Sequence, residues 1–105
     1  MSGICDDLEK AFSLRGGGGA KLIAQVRDMA RRDWAVRVLD AWARAHFRSD
    51  WLTLDMAAHW TCSLRTGQSA KHFDGTTPDA ARLAAAAAVF PELPESVRAE
   101  LGERP

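Results

Sequence analysis

Apolar residues recur at three- and four-residue intervals over a long stretch in the first half of the chain. Such spacing places them on one face of a helix, so the pattern predicts one long helix or two consecutive ones from residue 20 onward. Trp34 and Trp42 lie eight residues apart on this face, which favours a role as core aromatics. The stripe consists of Leu22, Ile23, Val26, Met29, Ala30, Trp34, Val38, Leu39, Trp42 and Ala43.

A second helical stretch, "TTPDAARLAAAAAVFP", lies near the end of the chain. Thr77 is in position to cap the helix, and Pro78 occupies the first helical position, where a missing N–H has no cost. Pro91 and Pro94 end the pattern. The following "ESVRAELG" predicts one or two last helical turns that end at Gly102.

Between these stretches, "HFRSDWLTLD" interrupts the helical spacing. We predict a short helix from about Leu54 to Trp60, then a second from Leu64 to Phe73 with Ser63 as its cap. The second helix has few apolar residues to bury, and Gly67 in its middle costs about 1 kcal/mol relative to alanine. No strand pattern is evident, so the predicted fold is all-α, a compact bundle of about five helices.

The N-terminal part, residues 1–19, predicts a short helix in "CDDLEKAFSLR" and a joint of four glycines, Gly16 to Gly19. The joint does not fit a phosphate-binding loop, because Ala20 precedes Lys21 and Leu22 follows it. At 105 residues the chain is long enough for one compact domain. We assign residues 20–105 to a single helical domain.

Three consecutive segments in the second half resemble the helix-turn-helix regulators of bacteria and phages, in the broad Cro/repressor-like superfamily. They are "LTLDMAAHW", "SLRTGQSAKHFDG" and "TTPDAARLAAAAAVFP". The resemblance implies a helix-turn-helix at about residues 53–75, whose helix at about 64–73 reads the major groove of double-stranded DNA. The departures are Thr61 or Cys62 at the turn position and Gly67 early in the recognition helix.

If the resemblance holds, polar side chains in and before the second helix contact DNA. Arg65 and Gln68 are the candidates for base edges, and Lys71 for phosphates. Regulators of this kind usually bind as two-fold dimers, so we expect a homodimer joined through residues 22–47, with repression as the default. The complete DNA-binding set is Thr53, Ser63, Arg65, Thr66, Gln68, Ser69, Lys71 and His72.

The net charge is zero, which is unusual for a protein that binds nucleic acid, but the charge is unevenly distributed. The stretch from Arg15 to Arg48 contains eight basic residues and only three acidic ones. A solvated helix face explains this excess equally well. The alternative function is a small helical adaptor, inhibitor or antitoxin-like protein that binds a protein partner through its Trp-bearing helices.

An enzyme or a metal site is the least favoured interpretation. His59 and Cys62 are three residues apart, but paired Cys/His doublets of a structural zinc site are absent, and no cofactor is expected. Cys5 and Cys62 make no disulfide framework, and no apolar run approaches the roughly 20 residues that cross a bilayer. We therefore expect a cytoplasmic protein.

Overall fold

The computed structural model describes residues 18–67 and 69–105, the first three of them by their backbone only. A long helix comes first, a three-stranded sheet follows, and two shorter helices with a 3-10 turn between them complete the chain. The elements are α1 (Gly18–Ala45), β1 (Ser49–Asp55), β2 (Trp60–Thr66), β3 (Ser69–Gly75), α2 (Pro78–Val89), the 3-10 turn (Phe90–Glu92) and α3 (Glu95–Leu101).

The prediction of an all-α bundle is wrong, because the middle of the chain forms an antiparallel sheet in the order β1-β2-β3. The predicted recognition helix at 64–73 is the second half of β2, a tight turn and most of β3. The preceding predicted helix is the end of β1 and its loop to β2. The described residues between 53 and 75 form strands and turns and not a helix-turn-helix, and the fold is α+β.

Two turns connect the three strands. Residues 67 and 68 separate β2 from β3, and Thr66 pairs with Ser69 across this turn. Gly67 has a φ of +56°, a left-handed conformation typical of such turns. Four residues separate β1 from β2, where the Met56 N–H donates to the His59 carbonyl oxygen. A residue that weakens a helix is therefore the residue that allows the hairpin to close.

The helices α1 and α2 pack on the same face of the sheet. Strand alternation points Cys62 and Leu64 of β2 toward the helices, and both side chains are buried. On the opposite face, side chains of the outer strands such as Leu54 and His72 are exposed. Antiparallel sheets commonly pack on one side and meet water on the other.

The core lies between α1, α2 and the sheet. Trp34 and Trp42 are each only 4% exposed, which confirms their prediction as core aromatics. α2 contributes small side chains that allow its backbone to approach the sheet closely. The buried apolar residues of the cluster are Trp34, Ala35, Val38, Leu39, Ala41, Trp42, Cys62, Leu64, Ala81, Ala85, Ala86, Val89 and Leu93.

The start and end of the predicted C-terminal helices are confirmed. The Thr77 hydroxyl oxygen accepts a hydrogen bond from the Ala80 N–H at 3.0 Å, and Pro78 is the first residue of α2. α3 ends at Leu101, after which Gly102 takes a φ of +78°. The predicted N-terminal short helix and the first two glycines of the predicted joint, Gly16 and Gly17, lie outside the described residues. The other two, Gly18 and Gly19, belong to α1 and not to a joint. α1 begins at Gly18.

Candidate functional site

The residues predicted to contact DNA do not form one surface. Thr53, Thr66, Ser69 and Lys71 lie on the side of the sheet that faces the helices, as their register with buried Cys62 and Leu64 shows. Ser63, Arg65 and His72 lie on the opposite face, and Gln68 is outside the described residues. Thr53 accepts a hydrogen bond from Arg82 Nε at 2.9 Å. The predicted set is therefore divided between two faces.

On the open face, three charged residues are hydrogen-bonded to a neighbouring strand: Asp50, Arg65 and Asp74. Arg65 donates through Nε and Nη2 to the two carboxylate oxygens of Asp50, at 2.7 and 2.5 Å. This hydrogen bonding holds the pKa of the Asp50 carboxyl below its ordinary value and raises the pKa of Arg65. The Thr61 hydroxyl donates to Asp74. Arg65 is thus a cross-strand partner in this conformation, with its guanidinium already bound.

A cleft of about 220 Å³ opens on the helix side of the sheet, at the end where β2 turns into β3. The C-terminal ends of α1 and α2 meet the hairpin there, because α1 leads into β1 and α2 runs back along β3. Three of its lining side chains are buried and apolar. The lining residues are Trp42, His46, Leu64, Thr66, Ser69, Ala70, Lys71, Val89 and Glu92.

The buried members of this lining form an apolar floor. Trp42 is 4%, Leu64 3% and Val89 4% exposed, so each belongs to the core and also presents an edge to the cleft. These residues come from α1, β2 and α2 respectively. Because three packed elements hold the floor, its shape is set by the core.

His46, which follows the end of α1, is held in a defined orientation beside the floor. Its Nδ1 lies 2.8 Å from the carbonyl oxygen of Trp42, and its ring centroid is 5.2 Å from the Trp42 ring. A carbonyl oxygen only accepts, so Nδ1 carries the hydrogen in this contact. In the neutral ring, Nε2 is then left as a hydrogen-bond acceptor.

The rim of the cleft carries charges that have no ion-pair partner within the described ranges. Lys71 from β3 and Glu92 from the 3-10 turn both line the cleft, and neither belongs to any of the ion pairs found there. Lys71 is exposed to solvent. The apolar floor can bury the apolar part of a bound group, and the charged rim can fix the orientation of that group.

Beside the cleft, the turn between α1 and β1 presents an aromatic side chain to solvent. Phe47 is 88% exposed, the highest value among the exposed large apolar residues described. The guanidinium carbon of Arg48 lies 5.2 Å from the centre of the Phe47 ring. Arg48 has a φ of +57°, an uncommon conformation for a residue other than glycine. This turn adjoins His46 and therefore the cleft.

The described part of the chain offers neither an exposed thiol nor a metal-binding cluster. Cys62 is fully buried, and desolvation raises the pKa of its thiol to about 11, so the reactive thiolate is scarce at neutral pH. No group of three or more His, Cys, Asp or Glu residues there is arranged to hold a metal ion. None of the helices in those ranges has the length and apolar character needed to cross a membrane.

Comparisons with protein-family models, curated proteins and solved structures give no match for this chain. The residues of the cleft therefore carry the functional argument alone. Of these, sequence reasoning selected Thr66, Ser69 and Lys71, but for a different surface. It missed His46 and Glu92, because their proximity to Lys71 depends on how separate elements pack.

Proposed function

We propose that this chain is a non-catalytic binding module that receives an acidic segment of a partner protein. One apolar side chain of that segment enters the cleft. The carboxylates of the segment lie near the basic residues around the rim. The observation that carries the proposal is the apolar floor beside both the exposed Phe47 and a rim lysine, Lys71, that has no ion-pair partner among the described residues.

The size of the cleft favours a side chain over a whole small molecule. Pockets for small ligands and cofactors have volumes of about 300–1,000 Å³. The volume here is about 220 Å³. A buried floor with a polar rim is also the arrangement found at the centre of many protein interfaces.

Charge gives the expected chemistry of the partner. Lys71 lies at the rim, and Arg44 and Arg48 flank the turn that carries Phe47. The helix dipole favours a cation at Arg44 in the last turn of α1, so the argument depends more on Lys71 and Arg48. Glu92 is the single carboxylate in the lining. Lys71 and Glu92 balance each other within the lining, so the net positive charge that favours an acidic partner comes from Arg48 and Arg44 outside it.

The exposed Phe47 supplies the second contact. Aromatic and arginine side chains are enriched among the residues that dominate interface energies. Phe47 and Arg48 contact each other at the turn, where both are exposed. The adaptor predicted from the sequence binds its partner through the Trp-bearing helices instead, but Trp34 and Trp42 are buried in the core. Homodimer formation stays a prediction.

A selection from a random dodecapeptide phage-display library tests the proposal. The purified chain is the bait, and enriched peptides are synthesised with a fluorophore and titrated by fluorescence anisotropy. We expect acidic peptides with an apolar residue, and an increase in Kd of about tenfold for Phe47→Ala and for Lys71→Gln.

Two variants on α1 serve as matched controls, Met29→Ala and Lys21→Gln. Met29 is 58% exposed and Lys21 is exposed, and neither lines the cleft. We expect each to change Kd by less than about twofold. The proposal is wrong if no peptide is enriched, if the controls weaken binding equally, or if a labelled DNA duplex binds through the same residues and no peptide does.

A further inference from the structure

β3 is an edge strand of the sheet. The sheet order is β1-β2-β3, so β3 pairs with β2 on one side, and no other described strand pairs with its outer side. Residues Ser69 to His72 are all exposed. An edge strand offers unpaired N–H and C=O groups to which an extended chain can add.

The hairpin determines which backbone groups of β3 face outward. In a two-residue hairpin the flanking residues, here Thr66 and Ser69, form a hydrogen-bonded pair, and the pattern then alternates along the strands. Ser69 and Lys71 therefore direct their backbone groups toward β2. Ala70 and His72 direct theirs to the free edge.

We infer that the partner segment pairs with β3 as a fourth strand and that this pairing sets its register over the cleft. This inference rests on the proposed function. Ser69, Ala70 and Lys71 both line the cleft and belong to the edge strand. A strand added about 4.8 Å away alternates its side chains between the two faces, so that its helix-side residues lie next to the cleft.

The other edge strand suits an acidic segment less well. β1 carries two carboxylates and no cation, and only Asp50 is neutralised, by Arg65 of β2, so that Asp55 repels an acidic chain. β3 carries one carboxylate, Asp74, and the cation Lys71. On its helix side, Trp51 donates to Asp40 at 3.0 Å and Thr53 accepts from Arg82. No residue of β1 lines the cleft. Charge and the position of the cleft therefore select β3.

Lys71 has a second possible role, in preventing unwanted strand pairing, and the experiment has to distinguish this role from binding. Lysines on edge strands also prevent unwanted pairing between sheets. If that were its only role, neither the peptide nor any other strand would occupy the β3 edge. A variant that removes a backbone donor without removing Lys71 distinguishes the two roles.

Ala70→Pro removes the outward N–H of Ala70, and Ala70→Val keeps it with a side chain of similar size. Proline is tolerated on an edge strand where its nitrogen does not face the neighbouring strand. With a peptide selected on the unmodified chain, we expect Kd to rise about tenfold for Ala70→Pro. Any rise for Ala70→Val measures the effect of the larger side chain in the cleft lining alone, and we expect it to be smaller than the rise for Ala70→Pro. The melting temperature of each variant is measured alongside.

Amide hydrogen exchange of the unmodified chain, followed by NMR, gives a second readout that needs no substitution. We expect the peptide to slow exchange at Ala70 and His72. Equal affinity for Ala70→Pro with unchanged exchange at these amides overturns strand addition, even if Phe47→Ala and Lys71→Gln still weaken binding. The absence of any enriched peptide overturns the proposed function and strand addition together.

Discussion

At the scale of single residues, Gly75 is required by close packing. A Cβ placed on Gly75 would lie 2.5 Å from the Ala81 backbone nitrogen and 2.8 Å from the Ala80 carbonyl carbon. These atoms belong to the first turn of α2, so they cannot move independently. We expect Gly75→Ala to lower the free energy of unfolding by about 3 kcal/mol, measured by urea denaturation.

Gly67→Ala is the matched control for that substitution. Apart from the adjoining residues, no described atom lies within 4 Å of the Cβ that it would add, so the expected strain comes from the φ of +56°. A left-handed conformation costs a non-glycine residue about 1 kcal/mol. If Gly67→Ala were as destabilising as Gly75→Ala, the close approach between β3 and α2 would not be the reason for Gly75.

At the scale of elements, α2 has a buried face and an exposed face, and the same substitution made on each face tests the difference. Ala85 is fully buried against the sheet, whereas Ala84, on the same helix, is exposed. Leucine at position 85 has to displace the packed neighbours, so we expect Ala85→Leu to destabilise the protein by about 1–3 kcal/mol. Thermal denaturation followed by circular dichroism measures the difference.

For Ala84→Leu we expect a change within about 0.5 kcal/mol, because both residues favour helix and the position faces solvent. The same substitution one residue away therefore separates packing from helix propensity. Similar losses at the two positions would mean that α2 does not approach the sheet through its alanines.

The helices were predictable because the relevant information is local. Thr77, Pro78 and the alanine run define α2 without reference to the rest of the chain, and the apolar stripe defines α1. From Trp34 to Trp42 the buried face of α1 follows from the spacing, but Leu22 and Met29 of the predicted stripe are exposed. β3 is mainly polar on both faces, so its sequence has no alternation of apolar and polar residues. β2 does alternate, with apolar residues at every second position from Trp60 to Leu64, and this strand signal was overlooked.

Gly67 is a local feature that distinguishes a hairpin from the predicted recognition helix at 64–73. In a helix it is a weakness, whereas in a hairpin it adopts the positive φ that the turn requires. The threonines Thr53, Thr61 and Thr66 also favour strands. Pairing between β2 and β3 then outweighs the weak helical tendency of residues 64–73.

The cleft was less predictable than the fold, because it has no contiguous sequence. Its floor comes from α1, β2 and α2, and its charged rim from β3 and the 3-10 turn. Lys71 was recognisable as an exposed polar residue. Its proximity to His46 and Glu92 exists only after the helix ends have met the hairpin.

At the scale of the whole molecule, the last helix fixes the C-terminal end of the chain to α1. The Trp34 indole N–H donates to the Gly102 carbonyl oxygen at 2.9 Å, across 68 residues of sequence. Trp34 also contacts Phe90, with ring centroids 5.4 Å apart. The buried indole therefore depends on the C-terminal segment for its hydrogen bond.

Two truncations test this closure. A chain that ends at Leu101 leaves the Trp34 indole N–H without its acceptor, so we expect it to be less stable by about 1–3 kcal/mol. A chain that ends at Gly102 keeps an oxygen at that position and should stay within about 0.5 kcal/mol of the intact protein. Both lose the exposed hydrogen bond from Arg31 to the Pro105 carbonyl oxygen. Urea denaturation compares the three chains, and equal stability of the two truncated forms would show that the Trp34 hydrogen bond contributes nothing.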